Sequence, residues 1–152
     1  MTSIELRAAH RWREAIGEFV FERERVTMLE LELFLVWGGF EVLGDHAIAW
    51  NPSRVSDTYL WAGVSRQFVE VFLEAVYEFL IIPVACDTTY YTGAGDLRMQ
   101  EFRLAKNAPA SKWQPVLLEV VTVDGIRVTG DEAKRLIVEK ARAQFFRRLL
   151  SN

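Results

Sequence analysis

Arg66, Glu70, Glu74 and Glu78 recur every four residues, which sets four charged side chains along one narrow face of a helix. On that face Arg66 and Glu70 read first as an i,i+4 ion pair, worth about 0.3–0.5 kcal/mol. Groups suited to covalent or metal chemistry are sparse elsewhere. His10 and His46 are the only histidines, which leaves little for a metal cage or a general base. Cys86 sits inside an apolar run and reads as a small buried hydrophobe, not a nucleophile. Asp87, Asp96, Glu101 and Glu119 fall in a strand-rich region, but nothing in their spacing builds a cation site. Gly93-Ala94-Gly95 lacks the third glycine and the strand-to-helix setting of a dinucleotide fingerprint, and no phosphate-loop lysine follows it; it reads as a hairpin tip. The sequence therefore argues against an enzyme, and it calls for no cofactor and no metal. Trp37, Trp50 and Trp61 read as core, whereas Trp113, in a proline-flanked connector, is the aromatic that marks an exposed contact.

The bulk numbers set the frame. A chain of 152 residues, 51% of them hydrophobic, makes one domain with a core that needs no staples. The single cysteine excludes an internal disulfide and favours a reducing, cytoplasmic setting. Charged side chains from Glu5 to Glu14 leave no signal-peptide core, and the longest apolar run, 79–86, is broken by Pro83 and is far too short to span a bilayer. The net charge of −3 hides an asymmetry: residues 1–80 carry −6, residues 81–125 carry −1, and residues 126–152 carry +4. No global basic field draws the chain to nucleic acid; a local patch has to do so.

The elements that position these residues follow from apolar spacing. Residues 3–21 read as one amphipathic helix with Leu6, Ala9, Trp12, Ile16, Phe19 and Val20 inward. Thr27 and Glu30 form a capping box for a helix through Trp37, with Leu29, Leu33 and Val36 inward; Leu-Glu alternation over 29–33 leaves a strand as the rival. Gly38-Gly39 ends that segment. Gly44-Asp45 reads as a turn and 47–50 as a short strand. Residues 55–82 are the most apolar stretch and read as two helices meeting at Gly63, with Ser65 capping the second and neighbours on several sides. Residues 81–91 and 97–104 read as strands of a glycine-tipped hairpin. Asp124-Gly125 makes a tight hairpin turn between 116–123 and 126–128. Thr129 and Glu132 cap a final helix to residue 150 whose basic side chains surround Leu136, Ile137, Ala141, Phe145 and Leu149.

From residue 27 to residue 106 the order is helix, short strand, helix, tight turn, helix, strand, glycine-tipped loop, strand. That order resembles a winged helix–turn–helix domain. Residues 60–69, LWAGVSRQFV, are similar to the helix–turn–helix pattern of small residue, turn glycine, apolar residue, then serine and polar residues opening a recognition helix. The resemblance implies that Ser65, Arg66, Gln67 and Glu70 meet base edges, and that Arg98, Arg103 and Lys106 in the wing, with Arg54, meet phosphates. The resulting expectation is an α+β fold: an N-terminal helix over 1–26, a winged-helix-like core over 27–106, and a hairpin with a basic C-terminal helix over 107–152. In function the expectation is a DNA-binding protein, a transcriptional regulator, that takes double-stranded DNA as a homodimer through its terminal helices. The alternative is a non-catalytic protein-interaction module whose acidic helix takes a basic protein partner. Neither reading involves a membrane.

Overall fold

A computed structural model describes residues 1–49, 58–92 and 113–127, together with Glu132, Arg135 and Glu139. It is a mixed α+β structure with small antiparallel sheets. The N-terminal segment is two helices, not the single helix expected: α1 (Ser3–Ala8) and α2 (Trp12–Arg23). The break is a hydrogen-bonded C-terminal cap. His10 takes φ 56°, its N–H donates to the Arg7 carbonyl, and the Arg11 N–H donates to the Leu6 carbonyl. The His10 ring then stacks on Trp12 with centroids 5.0 Å apart. The turn exposes Ala9, which the periodic pattern had placed inward. The Glu22 carboxylate accepts from both the N–H and the hydroxyl of Ser3, at 2.9 and 2.6 Å, tying the start of α1 to the end of α2.

Strand β1 (Val26–Thr27) leads into α3 (Met28–Trp37), which is a helix as favoured above, capped by the Thr27–Glu30 box and ended at Gly38, with Gly39 at φ 94°. Its inward face differs from expectation. Met28, Leu31, Phe34 and Leu35 enter the core with Glu32, while Leu33 and Val36 face solvent.

The largest correction falls on 59–64. These residues form β3 (Tyr59–Val64), paired antiparallel with β2 (Leu43–Ala49), and not the first helix of a helix–turn–helix. β3 is buried along its whole length, so it shows the continuous apolar run of a strand covered on both faces, which periodicity cannot separate from a buried helix. Gly63 keeps a positive φ, 75°, but it serves an irregular register in which Leu43 and His46 both oppose Val64. Gly44 approaches the following junction so closely that a β-carbon there would lie 2.6 Å from the Ser65 Cα.

Ser65 caps α4 (Arg66–Phe79) as expected. Its hydroxyl accepts from the Phe68 N–H and donates to the Glu41 carbonyl. α4 is not surrounded: Phe68, Phe72 and Ala75 are buried, and Leu73 and Tyr77 on the opposite side are exposed. It packs on α2, where Gly17 leaves room for the Phe79 ring. Leu80, at φ 49°, turns the chain into β4 (Ile81–Ala85). The strand expected to run to 91 stops there, and a single helical turn, α5 (Thr89–Thr92), follows. β5 (Val116–Val120) lies between β1 and β4, antiparallel to both. The expected strand 116–123 is divided, because the chain leaves this sheet after Val120 to form a separate hairpin of β6 (Thr122–Val123) and β7 (Ile126–Arg127). Asp124 and Gly125 turn it with φ 53° and 77°, the doubly positive pair that an Asp-Gly turn supplies. Of the hairpin expected over 81–104, the first strand survives as β4 but pairs with β5, and residues 93–104 lie outside the described residues, as does the core of the C-terminal helix, although Glu132, Arg135 and Glu139 are helical. Among the described residues no helix is long and apolar enough to cross a membrane.

Tyr91 knits these pieces together. Its buried hydroxyl accepts from the Met28 N–H at 3.2 Å and donates to the Val116 carbonyl at 2.5 Å, and burial pushes its ionisation far above the usual phenol range. Tyr91→Phe strands both backbone groups and is expected to cost about 1–3 kcal/mol in urea unfolding. Gly44→Ala forces β2 off the strand-to-helix junction, with a loss of about 1–3 kcal/mol expected. An unchanged urea midpoint in either variant contradicts these packing assignments.

Candidate functional site

The residues singled out for base contact divide between two roles. The Ser65 hydroxyl is buried and fully occupied in capping α4, so it is a structural group. Arg66, Gln67 and Glu70 are exposed on the outer side of α4, and the Arg66 Nε donates to Glu70 at 3.1 Å, the i,i+4 pair that the spacing implies. Arg54, Arg98, Arg103 and Lys106 lie outside the described residues, as does the glycine tip of the wing. The described structure therefore brings Arg66, Gln67 and Glu70 together, without the preceding helix that would seat them in a groove of DNA.

The other chemistry-bearing residues are dispersed. His46 is exposed on β2 and His10 is stacked on Trp12. Asp87 accepts from the Thr89 N–H and the Thr88 hydroxyl, and Glu119 pairs with Arg25 at 2.8 Å; Asp96 and Glu101 lie outside the described residues. Glu32 is buried and accepts from the Trp61 indole N–H at 3.3 Å. Among the described residues no three His, Cys, Asp or Glu side chains gather closely enough to hold a metal ion. Cys86 is half-buried; burial, and then the Asp87 carboxylate, push its thiol above the usual range.

The aromatic expectations exchange places. Trp113 belongs to the edge of the core: its indole N–H donates to the Leu60 carbonyl at 3.0 Å, and its ring meets Tyr91 edge-on at 5.2 Å. Trp61 is fully buried, but Trp37 is 76% exposed, and Trp50 lies outside the described residues. Trp37 is not isolated. Leu33 at 38% and Ile4 of α1 at 63% exposure lie beside it, and Val36 at 44% is exposed on the same helix, while half-buried Leu29 packs against the core.

Ile4, Leu33 and Trp37 border a groove of about 450 Å³ between α1, the end of α2 and α3. Phe19 and Phe34 line it, stacked with centroids 4.2 Å apart. Arg7 lies over Phe34 and donates to its carbonyl at 3.0 Å, while Arg23 lies over Phe19 and within 4.0 Å of Glu30. The rim therefore holds two arginines and two glutamates, Glu22 and Glu30, around an apolar centre. Contiguous exposed apolar surface with a polar rim is the usual form of a macromolecular contact face.

The sequence carried a signal for this face that inward-facing assignments obscured. α3 is apolar at every position except Glu30 and Glu32, so beyond the residues that meet the core it carries Leu33, Val36 and Trp37 outward. A helix apolar all round needs cover on both sides. No family model, no curated protein and no solved structure matches the chain.

Two measurements check this geometry. Trp37→Ala is expected to stay within about 0.5 kcal/mol of the parent in urea unfolding, whereas Phe34→Ala is expected to cost about 3–5 kcal/mol; comparable losses in both contradict the outward placement of Trp37. Because a raised thiol pKa leaves less thiolate at neutral pH, Cys86 is expected to alkylate with iodoacetamide more slowly in the native chain than in urea. Equal rates contradict its shielding.

Proposed function

We propose that this chain is a non-catalytic protein-interaction module that docks through the outer face of α3 and the groove beside α1. The reading rests on one observation: Leu33, Val36 and Trp37 form a second apolar stripe on a helix whose first stripe already fills the core. Large aromatic side chains at the centre of such patches carry most of the binding energy in protein contacts. The charge distribution supports it too. Among the described residues Arg11, Arg13, Arg23, Arg25, Arg66 and Arg127 each face a glutamate, so their charge is spent pairwise and does not merge into a basic surface.

A duplex-DNA reading keeps one support, the exposed Arg66 and Gln67 in the first turn of α4. It predicts salt-sensitive binding of mixed-sequence duplex in fluorescence anisotropy, weakened by Arg66→Ala; no binding at low salt removes it.

The docking reading is tested by placing a benzophenone side chain at Val36 in the full chain, inside the cells that express it. A discrete adduct is expected on irradiation, lost when Leu33→Asp is added and absent when the same probe replaces Gln67. No adduct at position 36, or one indifferent to Leu33→Asp, overturns the reading.

A further inference from the structure

We infer that the occupant of this face is a second copy of the chain, with the two α3 helices packed antiparallel about a two-fold axis. The inference rests on the docking reading above and adds the partner. Leu33, Val36 and Trp37 stand at i, i+3 and i+4, the spacing of a seam between two helices. A stripe that packs against its own copy needs no complementary surface elsewhere, which is the condition for an isologous contact.

The rim charges choose both the partner and the orientation. Glu22 and Glu30 stand at the N-terminal end of α3, close to Arg23, and Arg7 stands at the C-terminal end beside Phe34. With two arginines and two glutamates the rim is neutral as a whole, so it selects neither a strongly basic nor a strongly acidic partner. Its two ends differ, however. Antiparallel pairing sets the Glu22 and Glu30 end of one copy against the Arg7 end of the other, while parallel pairing sets like against like. The same arrangement opposes the helix dipoles. It also carries the exposed Trp37 of each copy toward the open end of the other's groove, between Ile4 and Phe19, where an indole finds an aromatic wall and loses its contact with water.

Sedimentation across a concentration series is the test, using the full chain. The parent is expected to form a reversible dimer. Trp37→Asp and Leu33→Asp are each expected to sediment as monomers with unchanged circular dichroism, while Leu73→Asp, at a position of α4 whose exposure lies between theirs, leaves the dimer intact. In a Cys86→Ser background, Leu33→Cys near the axis is expected to form a disulfide-linked dimer under mild oxidation, and Leu73→Cys is not. A parent that stays monomeric at every concentration, a dimer that survives Trp37→Asp, or one broken by Leu73→Asp overturns the self-pairing. The docking reading fails separately: a monomeric parent whose position-36 probe gives a Leu33-dependent adduct of another mass keeps the face and loses the second copy, and a parent with neither loses both.

Discussion

A helix can press only one side into a single core, and α3 is apolar on both. That constraint shapes the rest of the molecule. Its first turn is fixed by the Thr27–Glu30 box and by the Tyr91 hydroxyl on the Met28 N–H; its end is fixed by Gly38 and by Arg7 on the Phe34 carbonyl. With both ends held, Met28, Leu31, Phe34 and Leu35 have to fill the interior. Leu33, Val36 and Trp37 are then carried outward, whatever their hydrophobicity. Burial of apolar area, about 25 cal/mol per Å², is left unused on that side until something covers it.

The remaining elements make the inward half of this arrangement rigid. β5 is held between β1 and β4, so the start of α3 is linked to the strand that follows α4. The Ser65 hydroxyl ties the start of α4 to the chain entering β2, accepting from the Phe68 N–H and donating to the Glu41 carbonyl, and α4 closes over the core with Phe68, Phe72 and Ala75. Arg127 fastens the β6–β7 hairpin to α2 through the Glu18 carboxylate and the Gly17 carbonyl, with its guanidinium over Phe21. Arg25 and Arg13 likewise end against glutamates of other elements, Glu119 of β5 and Glu78 of α4. With these arginines paired, the apolar outer face of α3 and the charges at its rim are what remain available for recognition.

Features set by a few neighbouring residues were legible in the sequence. The Thr27 and Ser65 caps, the Gly38-Gly39 stop and the Asp124-Gly125 turn each depend on local hydrogen bonding or on φ, and each formed where the residues called for it. Features set by cover from elsewhere were not legible. Residues 59–64 are apolar without a break, and only pairing with β2 and burial of both faces make them a strand. The likeness to a helix–turn–helix needed that segment to be the first of its two helices. His10 ended α1 with an unusual backbone angle that no glycine announced. For α3 the sequence held two apolar stripes of equal standing, and the packing of α2 and the sheet decided which turned inward. Leu33 and Val36 were placed in the core for a sound reason, since they do carry the pattern of residues that seek cover.

Hydroxyl-radical footprinting of Trp37 at increasing protein concentration tests this account most directly. Oxidation of Trp37 and Leu33 is expected to fall as concentration rises, while Leu73 and Tyr77, exposed on α4, keep a constant rate. A Trp37 rate that is low at every concentration contradicts an open face, and one that stays high throughout contradicts its cover by a second copy.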